Sequence, residues 1–300
     1  MGTLMNKLLT EERNPASANI DMLSTAEMLK VINREDQLVP LAVEKEISAI
    51  AGAIDLAVEA LKAGGRLFYV GAGTSGRLGI LDASESHPTF NVSRSLIQAV
   101  IAGGMRAAHL PMEMAEDDQR AGAAAMRKRR VSSRDVVVGI AASGRTPYTL
   151  GAMRYGKKVG AHIISITCNP LSEMAALADA SIAPVVGPEV ITGSTRMKAG
   201  TAQKLVLNMI STGIMIKLGH VYSNLMINVQ MKNSKLRERG RRIIMSIAGV
   251  DSRTASRAMR QAHGNLKVAI VMLIKKESAA PALERLELSG MNLRKALENV

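Results

Sequence analysis

Three short runs of the chain combine glycine, a hydroxyl side chain and arginine. They are Gly71–Arg77 (GAGTSGR), Ala142–Pro147 (ASGRTP) and Thr192–Lys198 (TGSTRMK). Each stands where we predict that a strand ends or a helix begins, and the free N–H groups and positive dipole end found there favour an anion. One such run is equally well explained as a helix N-cap, but three favour a phosphate cradle. The candidate binding residues are Gly73, Thr74, Ser75, Ser143, Gly144, Thr146, Ser194 and Thr195.

The first run also fits the dinucleotide fingerprint G-x-G-x-x-G. That fingerprint requires an acidic residue about 20 residues later to hold the ribose. The second predicted strand, Ser95–Ile101, is instead followed by Ala102-Gly103-Gly104. Neither of the first two runs ends in the G-K-[ST] of a P-loop. Hydroxyl groups and backbone amides without a lysine suit a sugar phosphate better than a nucleotide.

Two acidic residues are candidates for proton transfer. Glu85 lies in LDASESHP, where Pro88 predicts a helix break that would let the carboxylate turn toward the ligand. Glu116 lies in MAEDD, between the second and third predicted strands. Either residue alone is readily explained as a surface carboxylate. The two could supply an acid and a base if the fold brings them together.

Other kinds of chemistry have weaker support in the sequence. No two of the five histidines stand four residues apart, and the single cysteine, Cys168, excludes a disulfide framework and a cysteine zinc site. We therefore expect no metal site. Ser75 and Ser143 do not lie in the nucleophile motif G-x-S-x-G, so phosphate contact is the simpler role for both.

The composition indicates one large α/β domain with a smaller helical piece, because 300 residues at 47% hydrophobic can bury a full core. The net charge is +13, but residues 231–300 carry nine of those charges, with 15 Lys and Arg against 6 Asp and Glu. These residues include no aromatic side chain that could stack on bases. We interpret them as solvated helix faces and do not expect a nucleic-acid partner. Without a leader or a membrane-spanning apolar run, we expect a soluble cytoplasmic chain.

Short runs rich in Val and Ile alternate with helical segments and predict a five-stranded parallel sheet covered on both faces. The predicted strands are Arg66–Val70, Ser95–Ile101, Asp135–Ala141, His162–Thr167 and Ser181–Val186. Loops after such strands gather at the edge where open α/β sheets bind ligands. We predict an arm over residues 1–42, a sugar-phosphate-binding domain over 43–230 and a helical module over 231–300.

The helices are predicted from apolar periodicity and stop signals. Residues 11–40 are polar and irregular, with Ser24–Asn33 as the best helical stretch. Long helices are predicted over Val43–Ala63 and over Arg196–Leu218, the second capped by Thr192–Thr195. Three short helices are predicted in the C-terminal module: Ser252–Ala262, Leu266–Lys275 and Ala279–Ser289.

Several segments of the chain closely resemble the N-acetylmuramic acid 6-phosphate etherases, a family of sugar isomerase (SIS) domain enzymes. They are Leu9–Pro15 (LTEERNP), Gly71–Gly79 (GAGTSGRLG), Leu81–Glu85 (LDASE), Ala141–Tyr148 (AASGRTPY) and Gly187–Lys204 (GPEVITGSTRMKAGTAQK). The likeness extends over nearly the whole chain, and the last of these motifs is very specific.

The resemblance implies an α/β fold, namely a three-layer αβα SIS domain with a small C-terminal three-helix module. It implies a lyase of cell-wall recycling that splits the lactyl ether of N-acetylmuramic acid 6-phosphate into N-acetylglucosamine 6-phosphate and D-lactate. It also implies no cofactor, a homodimer, and an arm that lies across the partner. Glu85 matches the family's proton donor, and Glu116 its second catalytic glutamate, assigned as the base at C2.

Two departures from the family pattern lie near these glutamates. Ser86-His87 replaces the usual Cys-Pro, and Met114 replaces a glycine, which affects the expected loop shape more than the chemistry. Two alternative functions stay open. A regulator that senses sugar phosphates would keep the three loops without needing Glu85, and an aldose–ketose isomerase would also move the C2 proton.

Overall fold

The computed structural model describes residues 9–229 and 234–298, which form two compact units. The first unit contains the described residues up to Ser84 together with Arg94–Ser211, and the second contains Glu85–Ser93 and the described residues from Thr212 onward. The domain boundary predicted between residues 230 and 231 falls outside the described residues.

The first unit is built on a five-stranded parallel sheet. Its strands are β1 (Leu67–Gly71), β2 (Ile97–Ile101), β3 (Val136–Ile140), β4 (His162–Ile166) and β5 (Ala180–Ile182). Their order in the sheet is β2-β1-β3-β4-β5, and every pair is parallel. The predicted sheet is confirmed, and each strand overlaps its predicted range. The central strands β1 and β3 are buried along their whole length, which explains why apolar residues occupy both faces.

Helices cover both faces of this sheet. The described chain up to Lys217 contains α1 (Thr25–Glu44), α2 (Ile47–Lys62), α3 (Gly73–Phe90), α4 (Gln119–Lys128), α5 (Pro147–Lys158), α6 (Glu173–Leu177) and α7 (Lys198–Lys217). Phe68 and Val70 pack on one face in a cluster with Met126 of α4 and Met153 of α5. Tyr69 points to the other face, where its hydroxyl donates to Asp82 of α3 at 3.0 Å. The three-layer architecture is therefore confirmed.

The N-terminal helices differ from the prediction. The predicted helical stretch Ser24–Asn33 lies in α1, but this helix continues to Glu44 through residues that were predicted to be irregular. The single helix predicted over Val43–Ala63 is wrong, since α1 and α2 are two helices with a break at residues 45 and 46. A capping box formed by Ser24 and Glu27 starts α1. The Glu46 carboxylate, at the break, accepts a hydrogen bond of 2.9 Å from the backbone N–H of Ala183. The two residues are 137 positions apart along the chain, so local periodicity does not reveal their contact.

The second unit is helical apart from a small hairpin of β6 (Val221–Tyr222) and β7 (Leu225–Met226). Its helices are α8 (Ser234–Ala248), α9 (Ser252–Gln261), α10 (Leu266–Lys275), α11 (Ala279–Leu288) and α12 (Leu293–Glu298). The three predicted helices correspond to α9, α10 and α11, and α8 and α12 flank them. An apolar cluster that includes Ile244, Ile270 and Leu286 forms the core. Among the described residues of the chain, no helix has the length and apolar character needed to cross a membrane.

Candidate active site

Two of the three glycine-containing runs meet at the topological switch point of the sheet. The chain leaves β1 for β2 on one side and then crosses to β3 on the other. Ligands bind at such a point, outside the carboxyl ends of the strands. Gly71–Arg77 follows β1 and Ala142–Pro147 follows β3, and the last residues of these strands, Gly71 and Ile140, are paired. The two runs therefore leave neighbouring strands at one edge.

The first run brings the start of α3 close to the strand backbone. A Cβ on Gly71 would lie 2.9 Å from the backbone nitrogen of Gly76 and 3.0 Å from the carbonyl oxygen of Ile140. Only glycine permits this approach. At Gly73, where φ is +50° and α3 begins, an added Cβ would meet no atom of residues 9–229 or 234–298 within 4 Å. The helix N-terminus therefore opens onto free space at this residue, as a phosphate site requires.

A buried contact with α7 supports the same run. Ser75 is 9% exposed, and its hydroxyl donates to Oε1 of Gln203 at 2.9 Å. Gly200, one turn before Gln203 in α7, also lies close to this run: a Cβ added to it would be 3.5 Å from Cγ2 of Thr74. Sequence reasoning did not select Gln203 as a site residue, because the packing of α7 against the first run has no local signal.

The second run leads into α5. Gly144 has φ +68°, and a Cβ there would lie 2.3 Å from the Ser172 side chain, so glycine is required for both space and conformation. Thr146 is the N-cap of α5, and Pro147 occupies the first turn. Within the described part of the chain the Thr146 side chain makes no cap hydrogen bond. The first amides of α5 are thus not capped by Thr146, which suits an anion.

The third run differs from the prediction. The helix starts at Lys198 rather than Arg196. Of the predicted capping residues, Thr195 accepts a hydrogen bond of 3.0 Å at its carbonyl from the backbone N–H of Gly200. The carboxylate of Glu189, 1% exposed, accepts hydrogen bonds of 2.9 Å from the backbone N–H groups of Lys198 and Ala199. The protein's own anion therefore occupies this helix N-terminus. A phosphate role for Ser194 and Thr195 stays a prediction and would not use these two amides.

The N-terminal arm is bound to this segment within the same chain. The ammonium of Lys198 lies 2.6 Å from the carboxylate of Glu35 in α1, and the side-chain amide of Asn14 donates to that carboxylate at 2.8 Å. Burial alone would raise the pKa of Glu35, but hydrogen bonds from Lys198 and Asn14 outweigh it and lower the pKa. The hydroxyl of Ser17 donates to the carbonyl of Val190 at 2.7 Å. Lys198 is consequently neutralised by Glu35.

A second buried network joins α3 to α7. The Asp82 carboxylate accepts hydrogen bonds from the hydroxyl of Tyr69, the amide of Asn208 at 2.8 Å and the hydroxyl of Ser211 at 3.0 Å. Burial raises the pKa of Asp82 above its usual range despite these bonds, and raises the pKa of Tyr69 as well. This network fixes the register of the two helices that carry Ser75 and Gln203.

The two candidate catalytic glutamates are both exposed. The helix break predicted after Glu85 is wrong, because α3 runs through Pro88 and ends at Phe90, and the next residue, Asn91, has φ +53°. Pro88 lies in the last turn, so the one intrahelical hydrogen bond that it removes affects only the end of the helix. Glu85 belongs to the second unit and is exposed.

Glu116 lies in the first unit. It ends the 3-10 segment Glu113–Glu116 between β2 and α4, and it too is exposed. The catalytic roles of Glu85 and Glu116 stay predictions.

Comparison with known proteins identifies the class first. The chain matches the model of the glucokinase regulatory protein N-terminal SIS domain over residues 49–157 and that of the SIS domain over residues 112–212. The sheet-based unit is therefore a SIS domain.

Curated relatives named N-acetylmuramic acid 6-phosphate etherase identify the family. The one from Symbiobacterium thermophilum is 57% identical over 90% of this chain and 90% of its own length. That from Klebsiella aerogenes is 53% identical over 98% of both chains, and that from Actinobacillus pleuropneumoniae is 50% identical over 99% of this chain and 98% of its own. The chain belongs to the N-acetylmuramic acid 6-phosphate etherase family.

Proposed function

We propose that the protein is a carbon–oxygen lyase that cleaves the D-lactyl ether of N-acetylmuramic acid 6-phosphate. The products are N-acetylglucosamine 6-phosphate and D-lactate, as in the recycling of cell-wall amino sugars. The observation that carries this proposal is the full-length similarity to enzymes of that name, at 50–57% identity. The two helix N-termini at the switch point of the sheet support it.

The phosphate group of the substrate is held at the starts of α3 and α5. Gly73, Thr74 and Ser75 supply amides and hydroxyls from the first run, and Ser143, Gly144 and Thr146 supply them from the second. Ser194 and Thr195 contact the same substrate from the segment before α7. This arrangement needs no metal to neutralise the phosphate, because helix N-termini and oriented N–H groups attract it directly.

The reaction needs an acid and a base at different atoms. The sugar ring opens to its aldehyde, which makes the C2 hydrogen acidic, and the Glu116 carboxylate removes that proton. Glu85 donates a proton to the ether oxygen as the C3–oxygen bond breaks, so that lactate leaves as an alcohol and a C2–C3 double bond forms. Water then adds at C3, and a proton returns to C2. Proton transfers by positioned carboxyl groups give about 10²–10⁴-fold acceleration each.

We further propose that the protein is a homodimer and that it acts in the cytoplasm. The exposed apolar side chains Leu29, Leu38 and Leu41 along α1 support a dimer, since a second copy would remove them from water. The single cysteine, Cys168, is buried, and cysteine use of this kind is typical of reducing compartments.

Release of D-lactate from N-acetylmuramic acid 6-phosphate tests the proposal. We expect stoichiometric D-lactate and N-acetylglucosamine 6-phosphate, and no turnover of unphosphorylated N-acetylmuramic acid. Formation of a ketose phosphate without lactate would identify an isomerase instead. Binding of the sugar phosphate without any turnover would identify a regulator.

A further inference from the structure

A buried side-chain amide beside the first run has an unused donor. Gln203 is 1% exposed, and its Oε1 accepts the Ser75 hydroxyl at 2.9 Å. Its Nε2 is buried and has no hydrogen-bond partner among residues 9–229 and 234–298. A buried donor without a partner costs about 1–3 kcal/mol, and such groups are rare in folded proteins. This unpaired amide lies next to Ser75, which is predicted to bind the phosphate, and its position therefore points to a function.

The Gln203 amide and the Ser75 hydroxyl can bond in two ways. In the first, Ser75 donates its only proton to Oε1, so that it has no proton left for a phosphate oxygen. A half-turn of the amide exchanges its oxygen and nitrogen. In the second arrangement Nε2 donates to Ser75 Oγ, and the hydroxyl proton is free for another acceptor. Only the second arrangement allows Ser75 to donate to phosphate.

We propose that Gln203 is a positioning residue that directs the Ser75 hydroxyl toward the substrate phosphate. In the ligand-free protein Ser75 donates to Oε1. When phosphate binds, the amide turns, and one chain of donors runs from Gln203 Nε2 to Ser75 Oγ and from Ser75 to a phosphate oxygen. A hydrogen bond to a charged acceptor is stronger than a neutral one, so phosphate favours the turned amide. This inference rests on the proposed function, in which Ser75 contacts the phosphate.

A double-mutant cycle on ligand binding tests the inference. The dissociation constant of N-acetylglucosamine 6-phosphate is measured by calorimetry for Gln203→Glu and Gln203→Met, each with Ser75 and with Ser75→Ala. A carboxylate can only accept hydrogen bonds, so in Gln203→Glu the Ser75 hydroxyl stays bonded to residue 203 and cannot donate to phosphate. We therefore expect Kd to rise about tenfold or more when Ser75 is present. With Ser75→Ala the same change raises Kd by less than about threefold, because only the effect of the added charge remains.

The methionine variant covers the case in which Gln203→Glu does not fold, since it removes donor and acceptor without adding a charge. We expect Gln203→Met to raise Kd about threefold or more with Ser75 and to leave it unchanged with Ser75→Ala. The exposed Gln37 in α1, whose amide donates to Asn33 at 2.8 Å, gives matched controls, Gln37→Glu and Gln37→Met. We expect neither control to change Kd.

Equal losses in both backgrounds would overturn the inference, because Gln203 would then act by packing or charge and not through Ser75. That result would leave the proposed function intact as long as Ser75→Ala itself binds weakly. If Ser75→Ala binds as tightly as the wild type, the phosphate contact of Ser75 fails, and the inference fails with it. The KM for the etherase substrate should follow Kd in every variant, with kcat changed much less.

Discussion

At the residue scale, the phosphate contacts should affect binding more than chemistry. Alanine at Ser75, Ser143 or Thr146 should each raise KM about tenfold, because a lost hydrogen bond to a charged group costs about 1.5–3 kcal/mol. The phosphate is remote from C2 and C3, so it is bound equally in the ground and transition states, and kcat should change little. Steady-state kinetics measures both constants. Ser48→Ala, on the exposed side of α2, is the control, and wild-type KM in all three variants would place the phosphate elsewhere.

The two glutamates are predicted to act at different steps. Glu85→Gln keeps the size of the side chain but cannot protonate the ether oxygen, so lactate release should fall by on the order of 10²-fold or more. When N-acetylglucosamine 6-phosphate is incubated in D₂O, this variant should still exchange the C2 hydrogen, because carbanion formation does not need Glu85. Glu116→Gln should lose the exchange, and NMR of the C2 position measures both.

The exposed Glu59, paired with Lys62 on α2, gives the control Glu59→Gln, which should behave as the wild type. Exchange in the Glu116 variant together with none in the Glu85 variant would reverse the two roles. Full turnover in both variants would remove both residues from the mechanism.

The site residues were predictable from the sequence only where a local motif exposes them. Gly71 and Gly144 stand in runs whose glycines are required by close approach or positive φ, so the motif itself reports the geometry. Glu189 and Gln203 were missed as functional groups because their partners lie on α7 and on the first run, up to 128 positions away along the chain. Propensity and spacing contain no information about such partners.

At the element scale, the strands were easier to predict than the N-terminal helices. Val136–Ile140 and His162–Ile166 are runs rich in Val or Ile between turns and are buried apart from His162, and this pattern fits a parallel strand. The α1 helix contains Pro40 and many polar residues, which locally disfavour a helix. Its stability depends on the capping box at Ser24 and on the burial of Val39, Ala42 and Val43, so it is a consequence of tertiary packing.

One buried carboxylate stabilises the N-terminal ends of β1 and β3, which lie at the edge of the sheet opposite the candidate site. Asp135 accepts hydrogen bonds from the backbone and guanidinium of Arg66 and from the backbone N–H of Ser132. Burial alone would raise the pKa of Asp135, but these bonds lower it below its ordinary value of 3.8. Asp135→Asn should therefore reduce the free energy of unfolding by roughly 3 kcal/mol at pH 7, since it removes the only carboxylate paired with the Arg66 guanidinium among the described residues.

The pH dependence of this effect has a definite sign. A carboxyl group whose pKa is lower in the folded state stabilises the fold above its unfolded pKa, and this contribution is lost as the pH falls through the folded value. The difference between wild type and Asp135→Asn should thus be constant above about pH 5 and shrink as the pH falls below 3.8. Urea denaturation at each pH measures it, with the exposed Asp21→Asn as control. A difference that persists unchanged at pH 2 would contradict this account.

At the scale of the whole molecule, the similarity to the etherase family extends over both the sheet-based unit and the helical unit. The relatives from Klebsiella aerogenes and Actinobacillus pleuropneumoniae match 98% and 99% of it. Composition predicted a large α/β part and a helical part. It did not predict that Glu85–Ser93 groups with the C-terminal helices, because this depends on which residues meet in three dimensions.

The central claim is that the ether is cleaved by elimination at C3 followed by addition of water. The most direct test is to run the reaction in water enriched in oxygen-18 and to analyse both products by mass spectrometry. Elimination leaves the ether oxygen on lactate, so D-lactate should be unlabelled, and the sugar phosphate should gain one solvent oxygen at C3. N-acetylglucosamine 6-phosphate incubated alone corrects for exchange at C1. Labelled lactate, with no gain in the sugar beyond that control, would show cleavage on the lactyl side and contradict the account.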